Sequence, residues 1–143
     1  MNIKVKYFTK TGNTKKLADR IARTVGVHAE TVGNGKDDEA DILFLGASVY
    51  WAGIDSEVKK YIEELNPSKI KQVAIFSTSA LAERAFPDIK KRLEKKNIKV
   101  NNYNFYCRGK FTVMHQGRPN EKDLKDAETF AKKIIENIVS ESR

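Results

Sequence analysis

The chain has 143 residues, 40% of them hydrophobic and 32% charged, a balance typical of a globular domain large enough for one core. No stretch approaches the roughly 18 to 20 consecutive apolar residues of a membrane span, and the first ten residues lack the features of a signal peptide. A single cysteine and two histidines exclude an internal disulfide framework and an all-cysteine metal cage, and they disfavour a histidine-rich metal site. We therefore expect a single domain over residues 1–143 that resides in the cytoplasm and binds no metal.

Strands and helices alternate along the chain. The pattern of apolar residues predicts strands at 3–8, 28–32, 41–49, 72–78 and 100–106, and helices at 14–25, 56–65, 87–96 and, after a cap at Asn120, in the last twenty or so residues. The strand at 41–49 is almost continuously apolar, as expected where both faces of a sheet are covered, and the strand at 72–78 is predicted to be buried as well. This order predicts a parallel sheet with helices on both faces. Right-handed crossovers then place every strand-to-helix bend at one edge of the sheet, where ligands bind.

The first of these bends carries hydrogen-bond donors in an unusual concentration. It reads Thr9-Lys10-Thr11-Gly12-Asn13-Thr14 and leads directly into the first predicted helix. The start of a helix offers unpaired N–H groups and a positive dipole end, hydroxyl and amide side chains add donors, and glycine permits close backbone approach. The spacing differs from both the P-loop and the Gly-x-Gly-x-x-Gly pattern. The bend therefore indicates a phosphate pocket, with a capped threonine-rich turn as the structural alternative.

The same stretch resembles the FMN phosphate loop of the flavodoxins, which reads Thr/Ser-x-Thr-Gly-Asn-Thr, and it matches every specified position. The order of elements is similar over almost the whole chain, and the length resembles that of the short-chain group. The resemblance implies a flavodoxin-like three-layer α/β/α sandwich around a five-stranded parallel sheet of order 2-1-3-4-5. It also implies that residues 9–14 hold the phosphate of FMN.

Two further loops are implied to hold the flavin ring. The residues concerned are Ser48, Val49, Tyr50, Trp51, Ala52 and Gly53 after the third strand, and Ser77, Thr78, Ser79 and Ala80 after the fourth. Tyr50 takes the stacking position, with Trp51 as the neighbouring candidate, because a flat ring offers contact area at little entropic cost. Two departures stand out. The family usually has a glycine directly after the bulky residue, and many members have a second aromatic in the later loop. Here Gly53 comes three residues after Tyr50, and one flavin face is either open or covered by Leu81 or another loop.

Two further residues near the same edge, Cys107 and His115, are candidates for reactive groups. Cys107, beside Arg108, is either an activated thiol or, more often for a lone cysteine, a packing residue. His115 is a candidate proton donor, and Arg118 lies in the same stretch, which is placed to fold over the rim of the flavin.

The net charge of +8, from 27 Lys and Arg against 19 Asp and Glu, reverses the acidic character of well-known flavodoxins. Solvated lysine-rich helix faces explain part of it. The densest basic stretch, Lys90–Lys96, has no interleaved aromatic residues for base stacking, which makes nucleic acid a minor hypothesis. The charge predicts acidic partners and, because basic residues outnumber acidic ones at the rim, a less negative potential for the second electron.

The resemblance implies electron transfer by bound FMN and leaves three alternatives. The favoured one is a diffusible carrier between redox proteins with acidic surfaces, present as a monomer or weak dimer. The second is an FMN oxidoreductase acting on a quinone or another small acceptor, which the missing second aromatic favours slightly. The third is a binding module that has lost the flavin, against which the intact threonine loop argues.

Overall fold

The computed structural model describes residues 1–50, 53–79, 85–109 and 117–141. Within these residues the strands are β1 Ile3–Tyr7, β2 Ala29–Thr31, β3 Ile42–Tyr50, β4 Gly53–Ile54, β5 Gln72–Ser79, β6 Lys99–Val100 and β7 Phe105–Arg108. The helices are α1 Asn13–Val25, α2 Ser56–Glu64, α3 Phe86–Lys95 and α4 Glu121–Glu141. Every predicted element is present, with ends that differ by a few residues at most.

The sheet runs in the order β2-β1-β3-β5-β6, and β7 joins β5 beyond β6 on the same edge. All of these pairings are parallel, and β4 alone among the described strands pairs antiparallel, with the end of β3. The predicted order 2-1-3-4-5 and the α/β/α architecture are thus confirmed. Among the described residues the sheet has seven strands in place of five, because β4 adds a short hairpin and the last predicted strand is divided in two.

An asparagine divides that last strand. The N–H of Asn101 still bonds to the carbonyl of Val73 at 2.9 Å, but its side-chain Oδ1 accepts the N–H of Tyr103 at 2.9 Å. This local turn competes with the ladder. Val73 pairs with Val100 and Phe76 pairs with Phe105, so a three-residue advance along β5 corresponds to a five-residue advance along its neighbour. The neighbour therefore accommodates two extra residues between β6 and β7.

The two faces of the sheet carry separate cores. One core lies beneath α2 and α3 and includes Leu43, Leu45, Ile75, Val58 and Leu93. The other lies beneath α1 and α4 and includes Phe44, Phe76, Leu17, Ile21 and Phe130. Successive residues of β3 and β5 therefore point to opposite cores, as the period of two in a strand requires. Both strands are buried throughout their described side chains, which explains their apolar runs at 42–47 and 73–76.

Asn120 caps α4 as the sequence predicts. Its Oδ1 accepts the N–H of Asp123 at 3.0 Å, and its own N–H donates to Oδ2 of Asp123 at 2.8 Å. This reciprocal pair is a capping box with aspartate in place of glutamate. It fixes the start of α4, which then packs beside α1 and against β7.

Candidate functional site

The bend after β1 lies at the carboxyl edge of the sheet, where β1 and β3 are neighbours and their following helices pack on opposite faces. This is the point at which strand order reverses, the usual ligand position in such sheets. Gly12 caps α1 with φ of 88°, a left-handed conformation that favours glycine. Its N–H donates to Oγ1 of Thr9 at 3.0 Å, so that the loop closes on itself. The bend is thus an ordered turn that presents the start of α1.

Backbone donors are available at this helix start. The N–H of Lys16 bonds to the carbonyl of Gly12 at 3.3 Å, which is the first bond of the helix. For the N–H groups of Thr14 and Lys15, the described part of the chain supplies no acceptor. A Cβ built on Gly12 would have no atom within 4 Å, so open space lies above the turn. The exposed hydroxyl of Thr11 lies beside that space, and together these donors suit an anion.

Thr14 has a different environment from the one that the sequence suggests. Its Oγ1 lies 2.6 Å from Oγ of Ser48 and 3.1 Å from Oγ1 of Thr78, and the last two atoms are 3.1 Å apart. All three side chains are buried, with exposed fractions of 0%, 4% and 1%. We call this cluster the hydroxyl triangle. It brings together three of the predicted site residues from α1, β3 and β5.

A buried carboxylate lies under the same edge. Asp55 follows β4, precedes α2 and is 4% exposed, and neither of its carboxylate oxygens has a hydrogen-bond partner among the described residues. Burial raises the pKa of Asp55, while the positive charge of Lys10 acts in the opposite direction. Lys10, an exposed cation of the bend, therefore lies close enough to attract this carboxylate. The burial of Asp55 was not predicted from the sequence.

The remaining predicted residues fall into two groups. The described ones are Val49, Gly53, Ser77 and Ser79; all but Gly53 are buried, and the hydroxyl of Ser77 has no hydrogen-bond partner among the described residues. Gly53 has φ of 100° and pairs with Tyr50 in the β3–β4 hairpin, so that the glycine turns the chain three residues after the bulky position. Trp51, Ala52, Ala80, Leu81, His115 and the side chain of Tyr50 lie outside the described residues.

Asn13 reaches across the edge to the end of β7. Its side chain is 7% exposed and packs on Gly109, whose N–H continues the ladder by bonding to the carbonyl of Ser79 at 3.2 Å. The sequence did not single out Gly109. A glycine directly after a predicted last strand is a weak signal, since turns and close contacts share it.

The lone cysteine is a core residue. Cys107 is 6% exposed and belongs to the core beneath α1 and α4. Burial raises the pKa of its thiol to about 12, with a further contribution from the charge of Asp123. A thiol of this kind is not activated, which favours the packing interpretation. Arg118 has a structural partner as well, because its guanidinium donates hydrogen bonds to both carboxylate oxygens of Asp123.

None of the described helices combines the length and the hydropathy that crossing a bilayer requires. No group of three or more His, Cys, Asp or Glu side chains in the described ranges is arranged to hold a metal ion.

Known proteins resemble this chain in sequence and in fold. An uncharacterized protein of Methanocaldococcus jannaschii is 24% identical, over 87% of this chain and 91% of that protein. Oxidised flavodoxin 2 of Bacillus cereus superposes with a TM-score of 0.74 at 19% identity, over 96% of this chain and 99% of that one. A flavodoxin from the domain Archaea gives 0.72 at 18% identity, also over 96% and 99%.

A larger protein contains the same fold as a part. The rubredoxin oxygen:oxidoreductase of Desulfovibrio gigas superposes with a TM-score of 0.73 at 12% identity, over 96% of this chain and 36% of that one. At such identities these structures show a shared fold. The family model described as the flavodoxin domain matches residues 4–116, most of the chain. The chain therefore belongs to the flavodoxin domain family, whose cofactor is a flavin.

Proposed function

We propose that this chain binds FMN at the carboxyl edge of its sheet and carries electrons between redox proteins in the cytoplasm, as one domain over residues 1–143. The observation that supports it most is the start of α1, where the N–H groups of Thr14 and Lys15 have no acceptor among the described residues beside an open turn at Gly12. A terminal phosphate fits such a group of donors. FMN ends in a phosphate, whereas riboflavin does not, so the proposed site distinguishes the two.

Different parts of the proposed site bind different parts of FMN. Residues 9–14 bind the phosphate, and the ends of β3 and β5 position the flavin ring. Bound FMN supplies the chemistry, the acceptance and release of one or two electrons, while the chain binds it, orients it and adjusts its potential. Asp55 and Lys10 contribute opposite charges at the edge, and Lys10 belongs to the loop proposed to bind the phosphate.

The choice between carrier and oxidoreductase rests on fewer observations. A carrier draws support from the similarity to flavodoxin 2 of Bacillus cereus, 99% of which is covered by this chain. The alternative, an FMN oxidoreductase that reduces a quinone or another small acceptor, draws support from the later loop, which has no aromatic residue before Phe86. The excess of Lys and Arg favours partners with acidic surfaces. Arg118, one of the basic residues near the flavin rim, forms an ion pair with Asp123. The net positive charge of the rim is therefore smaller than the sequence suggests.

A flavin-binding titration tests the proposal. The purified protein, stripped of flavin, is titrated with FMN while the quenching of flavin fluorescence is recorded. Replacing the exposed Thr11 by valine removes a phosphate donor and leaves the hydroxyl triangle intact, so we expect Thr11→Val to weaken FMN binding by roughly 1 to 3 kcal/mol. Thr129→Val, on the exposed side of α4, is the matched control and should bind as the unchanged protein does. Equal FMN affinity of both variants would remove the phosphate assignment.

Steady-state turnover separates the two functions. A carrier is reduced by a partner reductase and shows little turnover on NAD(P)H with a small quinone. An oxidoreductase turns over with these two small molecules alone. A redox titration of the FMN-bound protein adds a second measurement, and we expect a less negative potential for the second electron than an acidic flavodoxin has.

A further inference from the structure

Thr78 occupies a central position in the hydroxyl triangle. It lies near the end of β5, two strands away from the bend that precedes α1, and is 1% exposed. Its Oγ1 is 3.1 Å from both Oγ1 of Thr14 and Oγ of Ser48. Through Thr78, the first turn of α1 is thus linked to β5, the strand on the other side of β3 from β1.

The hydrogens of the triangle can be counted. Each hydroxyl has one hydrogen to donate and two lone pairs to accept with, so three of them satisfy one another around a closed ring. If Thr14 turns its hydrogen outward to an anion, a chain remains in which Thr78 donates to Ser48 and Ser48 donates to Thr14. Every hydroxyl still donates once, and none is left buried with an idle hydrogen.

We propose that Thr78 is a positioning residue for the phosphate of FMN, and that it acts by directing the hydroxyl of Thr14 at the anion through Ser48. Each hydrogen bond in such a chain polarises the next hydroxyl and makes it a stronger donor, an effect that is larger in a buried environment than in water. This inference rests on the proposed FMN site. It assigns to a side chain on β5 a part in selecting the phosphorylated flavin.

Thr24 provides a matched control outside the proposed site. It is half-buried on α1, and its hydroxyl donates to the carbonyl of Arg20 at 2.8 Å. Thr24→Val therefore makes the same type of substitution without touching the triangle or the residues proposed to hold the flavin. Thr78→Val removes the hydroxyl of interest and keeps the shape of the side chain, whereas Thr78→Ser keeps the hydroxyl.

The experiment compares two ligands that differ by the phosphate. Dissociation constants for FMN and for riboflavin are measured by fluorescence quenching on the unchanged protein and on the three variants. We expect Thr78→Val to weaken FMN binding about fivefold to tenfold and riboflavin binding by less than about twofold. Thr78→Ser and Thr24→Val should keep the FMN-to-riboflavin ratio of the unchanged protein.

The outcomes distinguish the inference from the proposed function. No binding of FMN to the unchanged protein overturns the proposed function. Normal FMN binding by the unchanged protein, with an FMN-to-riboflavin ratio in Thr78→Val that does not change, overturns the role of Thr78 and leaves the FMN site standing. Circular dichroism checks that each variant is folded. If Thr78→Val does not fold, Thr78→Ala is compared with Thr78→Ser, and the same shift in ratio is required.

Discussion

The side chain of Asn13 packs so closely on Gly109 that a Cβ at position 109 would lie 2.7 Å from Nδ2 of Asn13. The two residues are far apart in sequence, at the first turn of α1 and after the end of β7. Gly109 does not have a positive φ, so glycine is needed at this position because a side chain would collide with Asn13 and not because of the backbone conformation. The contact couples the proposed phosphate loop to the opposite side of the site.

Replacing Gly109 by alanine should therefore disturb flavin binding more than folding. The added methyl group displaces the Asn13 amide, a flexible group, and with it one donor at the start of α1. We expect about threefold to tenfold weaker FMN binding in a titration, with a change of less than about 1 kcal/mol in the free energy of unfolding. Gly33→Ala is the control, because that glycine is exposed with open space around it. Unchanged FMN affinity in folded Gly109→Ala would contradict the prediction.

Gly46 is needed by the core and not by the site. A Cβ on this residue of β3 would lie 2.3 Å from a ring carbon of Phe76 on the neighbouring strand β5. The ring cannot move freely in a packed core, so we expect Gly46→Ala to lower the free energy of unfolding by about 1 to 3 kcal/mol in a urea titration. In the background of Phe76→Leu the same change should cost less, because the smaller side chain makes room. Equal costs in both backgrounds would show that the contact does not limit stability.

Asp55 should make stability depend on pH. Its pKa is raised in the folded protein by burial, so the folded state holds the proton at pH values where the unfolded state has released it. The contribution of Asp55 to stability is thus greatest below the unfolded pKa, near 3.9, and is lost as pH rises towards the folded pKa. Each unit of such a shift corresponds to about 1.4 kcal/mol.

The variant Asp55→Asn tests this sign. It removes the titration, so its stability relative to the unchanged protein should improve as the pH of a urea titration rises from 4 to 7. Glu57→Gln, an exposed acid in the first turn of the same helix, is the control and should show a smaller trend. A relative stability of Asp55→Asn that falls with rising pH would contradict the direction of the pKa shift.

Cys107 should react with thiol reagents only when the protein opens. With its pKa raised to about 12, about one thiol in ten thousand is ionised at pH 8, and the side chain is buried as well. We expect modification by a disulfide reagent to be at least about a hundredfold slower than for an exposed cysteine, and to become fast in denaturant. Ser140→Cys in a Cys107→Ser background supplies that exposed reference on α4. Rapid labelling of native Cys107 would restore the activated thiol as a possibility.

The sequence alone determined the order of strands and helices and the place of the proposed phosphate loop between β1 and α1. Both depend on local patterns: the spacing of apolar residues in each element, and six consecutive residues between β1 and α1. The pattern could not foresee the division of the last strand, because it follows from one side-chain hydrogen bond of Asn101 to a neighbouring N–H.

Only the tertiary structure decided what those residues meet. Ser48 and Thr78 lie 34 and 64 positions after Thr14 in the sequence, and no local pattern indicates that the three hydroxyls are in contact. The burial of Asp55 and the close packing of the Phe76 ring against Gly46 likewise depend on strands and loops that are distant in sequence. Local periodicity fixes which elements form, whereas the partners of a buried polar group are set by how those elements pack together.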